Sequence, residues 1–419
     1  MKPTRTRYWV IFSAVTLAIL SYIDRVAISK ASGRITESLH LTEPQMGMVF
    51  SAFALSYALF EVPSGWLGDL MGPRRVLVRV VLWWSAFTAL TGAAWSFTSM
   101  WVVRFLFGAG EAGCFPNLTK AFSAWLPLQE RSMAQGLMWS FARWGGAFTP
   151  LLVLFTYRYI NWRWAFVVFG SLGVVWAFFF GRWFRDRPAD HPSVNAAERE
   201  LLRGVSGQAG GHGDVPWKKL LSSRSVWLLW AQYFCMSFPW YFYITWLTRY
   251  LEKGRHLSEG EAARLAVLPL LFGGFGSLVC GWLAPRAARA MGSVSLSRRI
   301  IAVTGMLGAC VCLLVSMRTE NPFWALIWMG FASFSNDLNM PPAWNTCMDI
   351  GGKYAGTVAG SMNMMGNLAG FAAPWIGGIL LQRNHGDWSQ FLYLMAAMYV
   401  LGALCWPFID PVTPIDKDD

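Results

Sequence analysis

The sequence predicts an all-α integral membrane protein with twelve transmembrane helices arranged in two six-helix bundles. Three observations support this prediction. Of the 419 residues, 55% are hydrophobic and only 14% are charged, whereas about a quarter of the residues in a soluble domain are charged. Apolar runs approach or exceed the roughly 20 residues that cross a bilayer as a helix. One polar, basic stretch divides these runs into six on each side.

The apolar runs define the predicted spans in chain order. They are residues 8–23, 46–60, 80–103, 105–119, 134–157, 164–181, 225–248, 265–285, 300–317, 322–348, 354–382 and 388–409. Several connections are only a few residues long, so consecutive helices are predicted to be antiparallel neighbours. The predicted organisation is a first bundle over 1–184, a linker over 185–224 and a second bundle over 225–419.

The positive charge predicts the orientation of the chain. The formal net charge is +12, and the excess lies in short connecting segments, as the positive-inside rule describes for cytoplasmic loops. Arg74, Arg75 and Arg79 follow the second span, and Arg286 and Arg289 follow the eighth. We therefore expect a protein of the cell membrane with both termini in the cytoplasm. The lipid bilayer, rather than nucleic acid, explains the basic composition.

Ionisable residues inside predicted spans are costly and therefore mark candidate functional positions. Those of the first half are Asp24, Arg25, Glu61, Arg104, Glu111, Lys120 and Arg143. The second half has essentially only Asp337, with Asp349 near a helix end. The coupling chemistry is therefore predicted in the first half. Glu61 and Lys120 are expected near helix ends, where long side chains reach the interface.

A proton carrier within the membrane is expected to be a carboxylate, because all five histidines lie in predicted loops. Glu111 is the first candidate, since it lies mid-helix beside Gly110 and Gly113. Arg104 precedes it by seven residues on the same helical face, and adjacent Asp24 and Arg25 point about 100° apart. The alternative is that such charges are buried ion pairs that only fix helix packing. For Arg143 and Asp337 both interpretations remain open.

The run from Gly65 to Arg75 contains the candidate gating loop, with Gly65, Asp69, Gly72 and Arg74 as its main residues. Its glycines permit a tight turn, and Asp69 can cap or pair across helix ends. A second glycine-rich run, residues 108–113, matches G-x-G-x-x-G but lacks the strand context of a dinucleotide site. We find no Walker motif, nucleophile–base arrangement or metal-ligand spacing, so neither an enzyme nor a cofactor or metal is expected.

The run from Gly65 to Arg75 resembles the loop between helices 2 and 3 of the major facilitator superfamily. The passages 22–25, 50–53 with Tyr57, and 104–117 resemble its anion:cation symporter family, especially bacterial transporters of sugar acids such as galactonate, glucarate and hexuronates. This resemblance covers nearly the whole chain and implies the major facilitator fold. It further implies that Asp24 and Glu111 take protons, that Arg104 couples them, and that Arg25 pairs with the substrate carboxylate.

Further positions follow from the same resemblance. Tyr22, Tyr57 and Asn363 match hydroxyl-binding positions, and Trp344 matches an aromatic position of helix 10. Arg143 departs from the family pattern as an added cation, which favours a more acidic substrate unless Asp337 neutralises it.

The function expected from the sequence is proton-coupled import of a small carboxylate, a hexonate, hexuronate or aldarate, by alternating access in a monomer. An exchanger of organic phosphates or dicarboxylates is the nearest alternative. A membrane sensor that binds solute without moving it is the alternative from another class.

Overall fold

The computed structural model describes residues 2–203, 215 and 217–415, so part of the predicted linker lies outside the described residues. All of the regular elements that it describes are helices. In the first half they are α1 (Thr6–Leu39), α2 (Glu43–Met71), α3 (Pro73–Thr91), α4 (Phe97–Glu111), α5 (Cys114–Trp125), α6 (Leu128–Thr156), α7 (Trp162–Trp183) and α8 (Ala196–Leu201).

The remaining α-helices begin with α9, which still lies within the predicted linker. They are α9 (Trp217–Ser222), α10 (Arg224–Thr245), α11 (Leu247–Arg249), α12 (Glu259–Leu265), α13 (Val267–Met291), α14 (Val294–Arg318), α15 (Pro322–Asp337), α16 (Met340–Gly351), α17 (Ala355–Arg383) and α18 (Ser389–Cys405). The fourth predicted span is α4 with α5, and the tenth is α15 with α16, because each is interrupted near its middle. The other spans are α1, α2, α3, α6, α7, α10, α13, α14, α17 and α18, which confirms the predicted fold class.

The predicted third span, residues 80–103, is wrong at its end. Helix α3 ends at Thr91, and Ser96 caps α4 with a capping box to Ser99. The intervening turn has no charged residue, so hydropathy runs through it unbroken. Arg163 of α7 stabilises the turn by donating to the carbonyl oxygens of Gly92 at 2.9 Å and Ala94 at 2.6 Å.

By length and composition alone, seven helical stretches of the described residues qualify as membrane spans. The predicted spans outside that set are rich in Trp and Tyr, are interrupted, or carry ionisable side chains. Helix α6, for example, contains Arg131 and Arg143, which are both buried. Charged side chains are therefore held inside helices long enough to cross the bilayer.

The helices divide into two compact units by their contacts. The first comprises residues 1–131, 144–215 and 351–364, and the second comprises 132–143, 216–350 and 365–419. Each unit therefore includes a helical segment from the other half of the sequence. The bundle boundaries at residues 184 and 224, which come from the sequence, stay a prediction.

Candidate functional site

The first unit contains a buried ion pair where the fourth span is interrupted. Glu111 is the last residue of α4, and α5 begins at Cys114. Glu111 Oε1 accepts hydrogen bonds from Arg25 Nε at 2.8 Å and from Ser21 Oγ at 2.5 Å. The Glu111 side chain is 0% exposed, whereas that of Arg25 is 21% exposed. The carboxylate is therefore fully buried, whereas part of the Arg25 side chain is exposed.

Aromatic rings surround the guanidinium of Arg25. Its carbon Cζ lies 4.6 Å from the ring centroid of Tyr57, and 5.4–5.5 Å from those of Tyr22, Phe53 and Phe115. Arginine is favoured in such a setting, because its planar cation stacks on rings while its N–H groups remain directed at an anion. The structure thus brings the predicted residues Tyr22, Arg25 and Tyr57 together.

Asp24 and Arg104 are also buried in the first unit. Each is 2% exposed, and the cation of Arg104 lies 4.1 Å from the ring centroid of Phe107. The charge of Arg104 interacts with those of Asp24, Glu111 and Arg25. When all four groups are ionised, two carboxylates balance two guanidinium groups. A substrate charge or a proton added to this cluster breaks that balance.

Several polar atoms in this cluster have no hydrogen-bond partner within the described residues. They are Asp24 Oδ1, Arg25 Nη2, Tyr57 Oη, Arg104 Nε, Arg104 Nη1 and Glu111 Oε2. Buried polar groups are normally hydrogen-bonded, so each such atom calls for a missing partner. Water, a proton or the functional groups of a bound solute supply partners of this kind.

Asn363 contacts a carboxylate in this structure. Its side-chain amide donates to Glu61 Oε1, and both side chains are buried. The expectation that Glu61 lies near a helix end is wrong, because α2 continues ten residues beyond it to Met71. The hydroxyl-binding role of Asn363 stays a prediction.

Asp69 of the candidate gating loop holds the start of α17 against α2. Its carboxylate accepts from the backbone N–H of Gly356 at 3.0 Å, and from the N–H and hydroxyl of Thr357 at 2.6 Å each. Lys120 of α5 lies 3.2 Å from it. The expected exposure of Lys120 is therefore wrong: its ammonium group is buried against Asp69 and the Lys353 carbonyl.

Gly65, Gly72 and Arg74 have separate roles. A Cβ at Gly65 would clash with the backbone of Gly356, so glycine permits the helices to touch there. Gly72 has φ +84° and faces the carboxylate of Asp186. Arg74 donates its backbone N–H to that carboxylate at 2.8 Å and its Nε to the Gly181 carbonyl at 2.9 Å. Arg74 therefore anchors α3 to the end of α7.

Asp186 lies outside the spans, three residues after the end of α7. Burial raises its pKa, and the N–H and charge of Arg74 partly oppose this effect. A carboxylate at the N-terminus of α3 is electrostatically favourable, because free N–H groups and the positive end of the helix dipole meet there.

The second unit contains another buried ion pair. Arg143 of α6 binds Asp337 through two contacts, Nε to Oδ2 at 2.8 Å and Nη2 to Oδ1 at 3.2 Å. The guanidinium carbon lies 3.3 Å from the ring centroid of Trp240. Asn336 donates to Asp337 Oδ1 at 2.9 Å. This pairing agrees with the alternative in which Asp337 neutralises Arg143, and the substrate-binding role of Arg143 stays a prediction.

Trp344 also belongs to the second unit and is fully buried. Its Nε1 donates to Tyr233 Oη at 3.2 Å, and its ring lies 5.1 Å from that of Trp139. It therefore contributes to an aromatic cluster formed by α6, α10 and α16.

Sequence reasoning missed Ser21 and Trp240. Ser21 precedes Arg25 by four residues, which places both on one face of α1, so helical spacing could have identified it. Trp240 meets Arg143 only through tertiary packing, and no local signal marks it.

The comparisons with known proteins agree on one family. The family model described as Major Facilitator Superfamily matches residues 14–374. A probable sulfoacetate transporter of Cupriavidus necator, SauU, is 36% identical over 418 residues, covering 99% of this chain and 96% of that protein. A D-galactonate transporter of Escherichia coli O6:H1 is 27% identical, covering 97% of this chain and 96% of that protein. The probable galactarate/D-glucarate transporter GarP of Escherichia coli K12 is 28% identical, with coverages of 97% and 95%.

Solved structures show the same fold. The fucose:proton symporter FucP of E. coli has a TM-score of 0.72 at 14% identity, and the match covers 96% of this chain and 99% of that one. The proton:xylose symporter XylE also has a TM-score of 0.72, at 13% identity, with coverages of 97% and 98%.

Proposed function

Because this chain belongs to the Major Facilitator Superfamily, and is therefore a multi-pass membrane transporter rather than an enzyme, we propose that it imports a small organic anion together with protons. The position of Glu111 carries the proposal. A carboxylate that is 0% exposed accepts from Arg25, whose own side chain is partly exposed. An arriving anion and Glu111 then compete for one guanidinium group.

The proposed cycle follows from this competition. A substrate carboxylate pairs with Arg25, which releases Glu111, and a proton on Glu111 then replaces the lost cation. Arg104 interacts with both Glu111 and Asp24, so a proton on either carboxylate changes the field at the other. Tyr22 and Tyr57 lie beside Arg25 and are placed to contact the substrate next to its charged group.

A small organic acid is the proposed substrate class. A sugar acid is expected from the sequence motifs, and the relatives named for D-galactonate and galactarate/D-glucarate agree with it. A short sulfonated acid is the second candidate, because the relative named for sulfoacetate is 36% identical over 418 residues. Both candidates present an oxyanion that matches the paired N–H groups of an arginine.

The membrane and orientation are part of the proposal. We place the protein in the plasma membrane as a monomer. We place both termini in the cytoplasm, because the arginines in the first turns of α3 and the last turns of α13 follow the positive-inside pattern. Green fluorescent protein fused after Asp419 is expected to fluoresce, and alkaline phosphatase fused there is expected to be inactive. The opposite pair of results would reverse the orientation.

Uptake into proteoliposomes tests the proposed function. Labelled D-galactonate, D-glucarate and sulfoacetate are offered with and without an inward proton gradient. At least one is expected to accumulate only with the gradient, and a protonophore is expected to abolish the accumulation. Equal uptake without the gradient, or exchange only against internal substrate, would support the exchanger. Binding without uptake would support the sensor.

A further inference from the structure

The two interrupted spans occupy the same place in the two halves of the sequence. The fourth span of the first half is interrupted between α4 and α5, and the fourth span of the second half is interrupted between α15 and α16. In each case the last residue before the break is acidic: Glu111 ends α4, and Asp337 ends α15. Two residues then separate the helical segments in both halves.

The surroundings of the two carboxylates also match in chemistry. Glu111 accepts from Arg25 Nε at 2.8 Å, and Asp337 accepts from Arg143 Nε at 2.8 Å. Both carboxylates are 0% exposed. Each guanidinium faces an aromatic ring, and each carboxylate has one further neutral donor, Ser21 for Glu111 and Asn336 for Asp337.

A glycine lets helix α13 approach Asp337 closely. A Cβ on Gly273 of α13 would lie 2.9 Å from Asp337 Oδ2 and 2.8 Å from Ser333 Oγ. Ser333 Oγ and Asn336 Oδ1 have no hydrogen-bond partner within the described residues. A pair that served packing alone is readily replaced by apolar side chains, because buried ion pairs add little stability. Unpartnered polar oxygens beside an ion pair are instead suited to a change of partner.

The described residues that interact with the charge of Asp337 include one arginine and two tyrosines. Arg143 of α6 is its counter-ion, and Tyr243 of α10 and Tyr399 of α18 lie close enough to interact with its charge. Helix α13 contributes Gly273 and Ser277. The charged residues of α14, Arg298, Arg299 and Arg318, lie at its ends. Arg143 is thus the strong electrostatic partner of Asp337.

We propose that Asp337 is a second proton-coupling carboxylate, held by Arg143 as Glu111 is held by Arg25. A proton from external water binds an oxygen of Asp337 while the substrate is loaded, and the ionic Arg143–Asp337 pair is replaced by a weaker hydrogen bond from Arg143 to the neutral acid. Release of the substrate and of the proton to the cytoplasm restores the original pair. This inference rests on the proposed function and adds one proton to its stoichiometry.

The proton-to-substrate ratio tests the inference. In proteoliposomes, a substrate gradient is opposed by a pH gradient, and the pH gradient at which net flux stops gives the ratio. The substrate is whichever of D-galactonate, D-glucarate or sulfoacetate the wild type accumulates. Asp337→Asn is expected to lower the ratio by about one proton per substrate, since it cannot ionise. It is also expected to flatten the pH dependence of initial uptake. The double variant R143Q/D337N removes both charges and is expected to give the same lower ratio.

The matched control is Asp349→Asn. Asp349 also pairs with an arginine in the second unit, Arg298, at 2.5 Å, and both side chains are 6% exposed. This control is expected to keep the wild-type ratio. A wild-type ratio in either D337N or R143Q/D337N would overturn the inference while leaving the proposed function intact. Absence of gradient-driven uptake in the wild type would instead overturn the proposed function.

Discussion

Arg25 is the residue on which the substrate-binding proposal depends most directly. Its Nε donates to Glu111, its Nη2 has no partner within the described residues, and its planar cation lies 4.6 Å from the ring of Tyr57. A lysine ammonium keeps the charge but has neither the planar stacking surface nor two directed N–H groups for a carboxylate.

Arg25→Lys is therefore expected to lower the uptake rate by about tenfold or more, because a charge-assisted hydrogen bond contributes about 1.5–3 kcal/mol. Initial rates over a range of substrate concentrations provide the measurement. Arg34→Lys on the same helix is the control, since Arg34 is exposed and stacks on Tyr157 at 4.3 Å. Wild-type uptake by Arg25→Lys would contradict the assigned role.

The sequence located the buried charges but not their partners. Asp24, Arg25 and Glu111 are recognisable because charges in an apolar run are costly. The contact between Glu61 and Asn363 joins residues 302 positions apart, and no local pattern encodes it. The same holds for Lys120 beside Asp69. Burial of both Glu61 and Lys120 depends on helix lengths and packing that hydropathy does not resolve.

At the scale of helices, glycines set the contact between α2 and α17. A Cβ on Gly356 would lie 2.6 Å from the Gly65 carbonyl oxygen, and one on Gly360 would lie 2.7 Å from that of Glu61. Gly356 and Gly360 lie four residues apart, a spacing of small residues that is typical of close helix packing in membranes. The break between α3 and α4 was missed, because none of its residues is charged.

Gly360→Ala is expected to destabilise the protein and to reduce uptake, since the added methyl group meets backbone rather than a movable side chain. Overpacking of this kind costs about 1–3 kcal/mol, which thermal unfolding of the purified protein measures. Gly33→Ala is the control, because nothing lies within 4 Å of its added Cβ. Alanine there is expected to maintain or raise stability, since glycine is a poor helix former. Equal stability of the two variants would contradict the packing account.

Helix α8 ties the linker to the start of the chain through Glu198. The carboxylate accepts from the Thr4 hydroxyl at 2.5 Å and from Arg7 Nη1 at 3.0 Å. Burial alone raises the pKa of Glu198, but the hydrogen bonds from Thr4, Thr6 and Arg7 outweigh it and lower the pKa below its ordinary value.

A lowered pKa fixes the sign of the pH effect. The stabilisation by Glu198 is fully present above the unfolded pKa of about 4.3 and is lost as pH falls through the lower, folded pKa. Glu198→Gln is therefore expected to lower the Tm at pH 7 by about 2–4 °C, and this difference is expected to shrink below about pH 4. Thermal unfolding between pH 7 and pH 3 checks it. A constant difference across that range would refute the account.

At the scale of the whole molecule, hydropathy and charge predicted the fold class, and the resemblance of short motifs predicted the family. Hydropathy and charge also located nearly all of the ionisable residues within spans in the first half of the sequence. Arg143 comes from the first half of the sequence but belongs to the second unit, where it pairs with Asp337. The charges of the second unit are therefore not those of the second half of the sequence alone.

The central claim is that a proton on Glu111 couples the gradient to uptake, and Glu111→Gln tests it most directly. Glutamine keeps the size and a hydrogen-bonding oxygen but carries no titrating proton. We predict that the variant loses gradient-driven accumulation in proteoliposomes but still exchanges labelled for unlabelled substrate. Glu200→Gln, at a side chain that is 69% exposed, is expected to behave as the wild type. Wild-type accumulation by Glu111→Gln, driven by the same proton gradient, would contradict the account.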